Sequence, residues 1–317
     1  MSFRIRKFAF ISLFLLAVIG LCQALDIGAW VGGPGKYPQP TKENVEAFQK
    51  LQNRKVDIIS YFAVWKTNDW SSTKPYLDVA ERNGSILLVT WMANGFTAQD
   101  ILAGKADAYI KAYARGIKKD GRTIWLRPLH EANGDWYDWG IGKRGARNTE
   151  NGLINAWRHI VTIFRDMDVP NVRWVWTTTN DLPTGTSFLG TYPGDEWVDI
   201  LSIDGYNWGT SQDWSSWRSF DDAFSASYEA LSAIDKPLFI AEVGSTERGG
   251  NKAAWIKDMF ETLPVKYPKV FAILWFNQSK SWEADWALDS SESSIAAWAE
   301  CVAKLPKHGE ENEIDAE

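Results

Sequence analysis

Eight short apolar runs, each followed by a stretch with helical start and stop signals, constrain this chain more than any other feature. The runs cover residues 27–31, 56–61, 86–91, 123–129, 172–178, 198–203, 237–242 and 270–275. They are rich in β-branched residues and apolar nearly throughout, the pattern of strands buried on both faces. Between them, Thr41 can cap a helix over 42–53, a helix over 74–83 stops at Gly84, and one over 105–119 stops before Gly121. Thr149 can cap a helix running to residue 166, and further helices are predicted over 220–234, 251–263 (ending at Pro264) and 291–304. The connection 182–196 has at most a short helix. Eight such units predict a single α/β domain, a closed (β/α)8 barrel. No GxGxxG fingerprint follows the first strand, which argues against a dinucleotide-binding open sheet.

The ends of the chain read differently. Arg4, Arg6 and Lys7 precede an apolar run over 8–21, and Cys22-Gln23-Ala24 offers a small-residue cleavage site. Residues 1–24 are therefore expected to be a secretory signal peptide, too short for a comfortable membrane span. Leu21 rather than a small residue precedes Cys22, which disfavours a lipid anchor. The barrel is expected over 25–305, and the acidic stretch 306–317 as a disordered tail. Only Cys301 remains after cleavage, so a secreted monomer would be held by its core without an internal disulfide.

The net charge is −6, and loss of the leader would remove three positive charges more. An acidic protein of this kind lacks the basic face that nucleic acid or an anionic membrane needs. The 19 tryptophans are the strongest compositional signal. Core packing accounts for half or more of them, but a flat indole face is also what the C–H face of a sugar ring packs against. An acidic, Trp-rich, exported chain points to a neutral polysaccharide as partner.

Barrel enzymes place their chemistry at the C-terminal ends of the strands. There stand Trp91 on strand 3, Arg127, His130 and Glu131 on strand 4, Asp204, Tyr206 and Trp208 on strand 6, Glu242 on strand 7, and Trp275 on strand 8. Glu131 and Glu242 each end an apolar strand, where a carboxylate needs a partner or a purpose. Glycoside hydrolysis requires such a pair. Arg127 reads either as a structural ion-pair partner or as the charge that keeps a nucleophilic carboxylate ionised, and the two are compatible. His130 reads either as a satisfied rim histidine or as a contact to a sugar hydroxyl or carboxylate. The three histidines lack ligand spacing, so neither metal nor cofactor is expected.

The runs 127–136 (RPLHEANGDW), 203–208 (IDGYNW), 240–244 (IAEVG) and 274–277 (LWFN) resemble glycoside hydrolase family 26, and the likeness extends over roughly 27–300. His130 directly before Glu131 is a specific feature, because many related barrels have Asn there. The resemblance implies that Glu131 is the acid/base and Glu242 the nucleophile of a retaining enzyme, with carboxyl groups about 5–5.5 Å apart. It implies that His130 contacts the nucleophile region and that Tyr206 hydrogen-bonds the nucleophile, supported by Asp204. Trp275 would floor the subsite of the attacked sugar, and Trp136 would line the leaving-group side. Arg127 and Tyr206 are expected to stabilise charge on Glu242, which then disfavours a second charge on Glu131. Family members cut internal β-bonds of mannan, mixed-linkage β-1,3-1,4-glucan or β-1,3-xylan. Its mannanases usually carry His after the tryptophan of strand 3, where this chain has Met92. The stretches 133–140 and 246–252 look closer to the glucanase branch. A β-1,3-xylanase or a transglycosylase with the same glutamates, or a barrel that binds glycan without cutting it, are the alternatives.

Overall fold

The structure is a computed structural model that describes residues 25–32, 39–143, 145, 147–280 and 282–306. The expected leader lies outside these residues, as does the expected tail beyond 306. The strands are β1 (Asp26–Val31), β2 (Ile58–Val64), β3 (Ile86–Met92), β4 (Ile124–Pro128), β5 (Val172–Thr179), β6 (Ile200–Asn207), β7 (Leu238–Ser245) and β8 (Val270–Asn277). They pair in parallel and in sequence order to close a barrel, β8 against β1. The helices are α1 (Lys42–Gln52), α2 (Trp70–Asn83), α3 (Ala98–Leu102), α4 (Asp107–Asp120), α5 (Glu150–Asp166), α6 (Phe220–Ser232), α7 (Lys252–Lys266) and α8 (Glu292–Ala303). The weak connection between β5 and β6 holds only a 3-10 turn, Asp195–Trp197.

Local chemistry sets most of these boundaries. Thr41 and Thr149 accept from the backbone N–H three residues on and start α1 and α5. Gly84, at φ 64°, ends α2 in the left-handed conformation that glycine adopts freely. Two helix limits differ from the expectation by three residues or more. α2 begins four residues earlier because Asp69 caps it, accepting from Ser72 N at 3.0 Å. α7 continues through Pro264, since a proline in the last turn removes only one intrahelical bond, and Tyr267 N still donates to Leu263 O at 2.9 Å.

Alternation along each strand sorts the side chains into two cores. Ile58, Leu88, Val175, Ile200, Phe239, Ala241, Ala272 and Leu274 fill the barrel. Their strand neighbours pack outward into a larger core shared with the helices. This parity decides which strand-end residues can reach the mouth. On β3, Leu88 and Thr90 point inward, so Trp91 points outward. On β8, Ala272 and Leu274 point inward, so Phe276 reaches the mouth and Trp275 does not.

Eleven of the 19 tryptophans are buried, and three are exposed: Trp136, Trp214 and Trp282. All three exposed indoles line the cleft across the barrel mouth.

Candidate active site

Arg127 is the centre of the mouth. It rises from β4 with no exposed surface. Its Nη1 donates to both oxygens of Asp204 at 2.8 and 2.7 Å, and its Nη2 to Glu242 Oε1 at 2.5 Å. Nε and Nη2 also donate to Thr90 Oγ1 at 3.0 and 2.6 Å, which fixes the plane of the guanidinium. Burial works against its charge, but Asp204 and Glu242 outweigh that and push its pKa up. A buried planar fork can hold two carboxylates at once, which a lysine ammonium cannot do in one plane.

Glu242 reaches the same space through a β-bulge. Ile203 pairs with Ile240 and Asp204 pairs with Glu242, so β7 carries one residue more than β6 over this step. Phe239 and Ala241 fill the barrel while Ile240 and Val243 face the helices. Without the extra residue, Glu242 would fall on the helix side with Ile240. The bulge turns it inward instead. Its Oε2 accepts from Tyr206 Oη at 2.5 Å. Burial and the charge of Glu242 hold the Tyr206 hydroxyl protonated, as a donor must be.

Glu131 is presented by a turn after β4. Leu129 and Glu131 both take positive φ, 50° and 52°, which is uncommon for non-glycine residues and costs strain. The turn is over-determined by its neighbours. Trp139 Nε1 donates to His130 O at 2.8 Å, Gly134 N to Glu131 O at 2.9 Å, and Thr179 N on β5 to Asn133 Oδ1 at 3.0 Å. Trp136 Nε1 donates to Glu131 Oε2 at 2.9 Å.

Three carboxyl groups thus share the mouth with the guanidinium of Arg127. Asp204 and Glu242 touch it, and Glu131 does not. Burial, followed by the nearby charge of Glu242, pushes the Glu131 pKa up to about 8. This has a consequence for stability. An unfolded glutamate releases its proton near pH 4.5, whereas folded Glu131 keeps it until about pH 8. Between those values the folded state holds one more proton, so stability falls as pH rises, until about pH 8. Glu131→Gln removes this cost. It is expected to melt above wild type at pH 8 and level with it at pH 4, by calorimetry at both pH values. Equal melting temperatures at pH 8 would contradict the assignment.

The structure corrects four expectations. Trp91 is fully buried among Trp65, Tyr109 and Tyr113, its Nε1 bonded to Tyr109 Oη at 3.1 Å, so it does not face the cleft. Trp275 is likewise buried against Trp255 and Trp298, and Nε1 donates to Trp286 O at 2.7 Å. Phe276, one residue on, lines the cleft instead. Asp204 supports Arg127 and not Tyr206, and both Asp204 and Arg127 are sealed from any substrate. His130 is sealed too. Its Nε2 pairs with Tyr137 Oη at 3.0 Å, and burial, aided by Arg127, pushes its pKa well down, so the ring is neutral.

The cleft has two halves that share the wall of Phe62, Tyr137, Phe276 and Lys280. The half of about 590 Å³ holds Glu131, Glu242, Trp136, Tyr206, Trp208 and Trp214. The other, about 660 Å³, holds Trp30, Asn68, Met92, Asn94, Gln278 and Trp282. Trp30, Phe62, Met92 and Phe276 stand at inward positions of their strands and follow from parity. Lys280, Trp214 and Trp282 sit on loops, where no periodic signal marks them.

Comparison with known proteins agrees with this geometry. Residues 89–301 match the model for glycosyl hydrolase family 26. Endoglucanase H of Acetivibrio thermocellus is 49% identical over 282 residues, 88% of this chain and 30% of that protein. A mannan endo-1,4-beta-mannosidase of Bacillus subtilis is 26% identical over 203 residues, 61% of this chain and 49% of that protein. The chain therefore spans less than a third of the first relative and about half of the second. A solved Bacillus subtilis mannanase shares the fold, with a TM-score of 0.63 over 88% of this chain and 85% of that one at 19% identity.

Proposed function

This chain belongs to glycosyl hydrolase family 26, and from that premise we propose that it is a retaining endo-β-glycanase with Glu131 as acid/base and Glu242 as nucleophile. The observation that carries the assignment is the asymmetry of Arg127, which bonds Glu242, while among the described residues no cation pairs with Glu131. Glu242 accepts from Arg127 at one oxygen and from Tyr206 at the other, which fixes its carboxyl group at the mouth. Glu131 keeps its proton and can hand it to the glycosidic oxygen as the bond to C1 breaks. Attack by Glu242 forms a covalent glycosyl ester and removes its charge. The Coulombic push on Glu131 then disappears, its pKa falls, and the carboxylate can take a proton from the water that resolves the ester. One residue so serves as acid and then as base.

The acid must be protonated in the free enzyme, so kcat/KM should decline above about pH 8, where Glu131 ionises. The Trp136 N–H stabilises the charged form of Glu131. Trp136→Phe is therefore expected to move the basic limb to higher pH, as read from kcat/KM between pH 5 and 10. A basic limb that stays in place would remove Trp136 from this role.

For substrate, the 49% identity to an endoglucanase favours a β-glucan, and mixed-linkage β-1,3-1,4-glucan in particular. Met92, at the cleft wall where mannanases of the family carry His, supports the same choice. The lower-identity relative named for mannan makes β-mannan the second reading. Reducing-sugar release from barley β-glucan, mannan, β-1,3-xylan and cellulose separates these. Greatest release from barley β-glucan is expected, and greatest release from mannan would reverse the order. The leader expected over 1–24 supports export to where such polymers occur. An exported form whose mass begins near Leu25 is the expected observation.

A further inference from the structure

Arg218, between the loop after β6 and the start of α6, joins three parts of the barrel rim. Its backbone is fixed on both sides. The N–H donates to Asn207 Oδ1 at 3.0 Å, and the carbonyl accepts from Trp255 Nε1 of α7 at 3.0 Å. From this base the guanidinium reaches the loop after β5. Nη1 and Nη2 donate to the two oxygens of Asp181 at 2.8 and 3.1 Å, and Nη2 also donates to Tyr206 O at 3.2 Å. Two parallel bonds between a fork and a carboxylate fix direction as well as distance.

Asp181 begins the segment 181–186. Asp181, Leu182 and Pro183 line the half of the cleft that holds Glu131 and Glu242. The segment has few fastenings of its own. Thr186 N and Oγ1 donate to Pro183 O at 3.1 and 2.8 Å, and Asp181 N donates to Thr179 Oγ1 at 3.4 Å, which keeps these bonds within the segment and the end of β5. Just before it, Asn180 Nδ2 donates to Ala223 O at 2.8 Å, and just after it Phe188 packs against the outer core. Among the described residues, the hydrogen bonds that tie 181–186 to another element are thus those of Arg218. With side chains 29% and 41% exposed, the Arg218–Asp181 pair adds little to the stability of the fold. Its effect is local: it orders a cleft wall in advance, which substrate would otherwise have to order on binding.

We infer that Arg218 is a positioning residue that clamps 181–186 in place as a wall of the cleft beside Glu131, and so sets how well long substrates bind. This rests on the reading of the cleft as a β-glycan hydrolase site, but one arm of its test needs no turnover. Tyr206 is expected to stay in place without Arg218, because it pairs with Gly244 of β7 and its hydroxyl is bonded to Glu242. Arg218→Met and Arg218→Lys are compared with wild type on polymeric β-glucan and on an aryl β-glycoside, which presents a single ring on the leaving side. Arg218→Met is expected to raise KM on polymer about fivefold, with kcat/KM on the aryl glycoside within about twofold of wild type. Arg218→Lys keeps a point charge opposite Asp181 and should recover part of the loss. Hydrogen exchange is the second arm. The Thr186 amide should exchange at least about threefold faster in Arg218→Met, with the amides of the barrel strands unchanged. Unchanged exchange at Thr186, or equal losses on polymer and aryl glycoside, would overturn the inference. If exchange at Thr186 rises and wild type cuts no β-glycan, the clamp stands and the hydrolase reading falls.

Discussion

Glu242→Gln is expected to lower kcat on every β-glycan by at least about 10⁴-fold, because no covalent intermediate can form. The substitution keeps the shape of the side chain and its place on the bulge of β7, so substrate affinity should survive. The Arg127 contact changes from ion pair to hydrogen bond, and the barrel beneath is untouched. Initial rates on β-glucan, together with binding of an oligosaccharide, check both halves of this expectation. Residual activity within tenfold of wild type would show that another group attacks the sugar.

Arg127→Met is expected to be the most destabilising single change in the mouth. Asp204 has no exposed surface, and Arg127 Nη1 donates to both of its oxygens. Removing one partner of a buried pair leaves the other charge uncompensated, at a cost of about 3–5 kcal/mol. Urea unfolding measures it. Arg127→Met with Asp204→Leu should recover much of that stability, since an apolar pair of similar volume replaces the buried charges. The double variant should stay inactive, because Glu242 has still lost the guanidinium at its Oε1. Recovery of activity along with stability would make Arg127 a purely structural residue.

The barrel could be read from the sequence because strands buried on both faces are apolar throughout, and that signal is strong in all eight runs. The place of Glu131 and Glu242 at the mouth was legible for the same reason, since each follows an apolar run at its C-terminal end. Side-chain direction was harder. Trp91 and Trp275 stand at strand ends, yet a one-residue step along a strand reverses the face. Only counting from Leu88 and Leu274 shows that both point to the helices. Glu242 breaks that same count, because the bulge after Ile240 adds a residue that periodicity cannot reveal. Asp204 and Arg127 are polar and stand near the mouth, but a buried pair bonded to each other has nothing left to offer a sugar. Trp214 and Trp282 lie on loops whose course depends on contacts distant in sequence, such as Gln212 to Glu283.

The division of labour between the two glutamates is tested most directly by Glu131→Ala acting on an aryl β-glycoside in the presence of azide. An aryl leaving group departs without a proton, so Glu242 can still form the glycosyl ester, and the ester then persists because no base activates water. Azide needs no general base and should accelerate the second step. The account predicts a β-glycosyl azide, the product of two inversions at C1 with Glu242 on the α face between them. An α-glycosyl azide, or no response to azide, would contradict it.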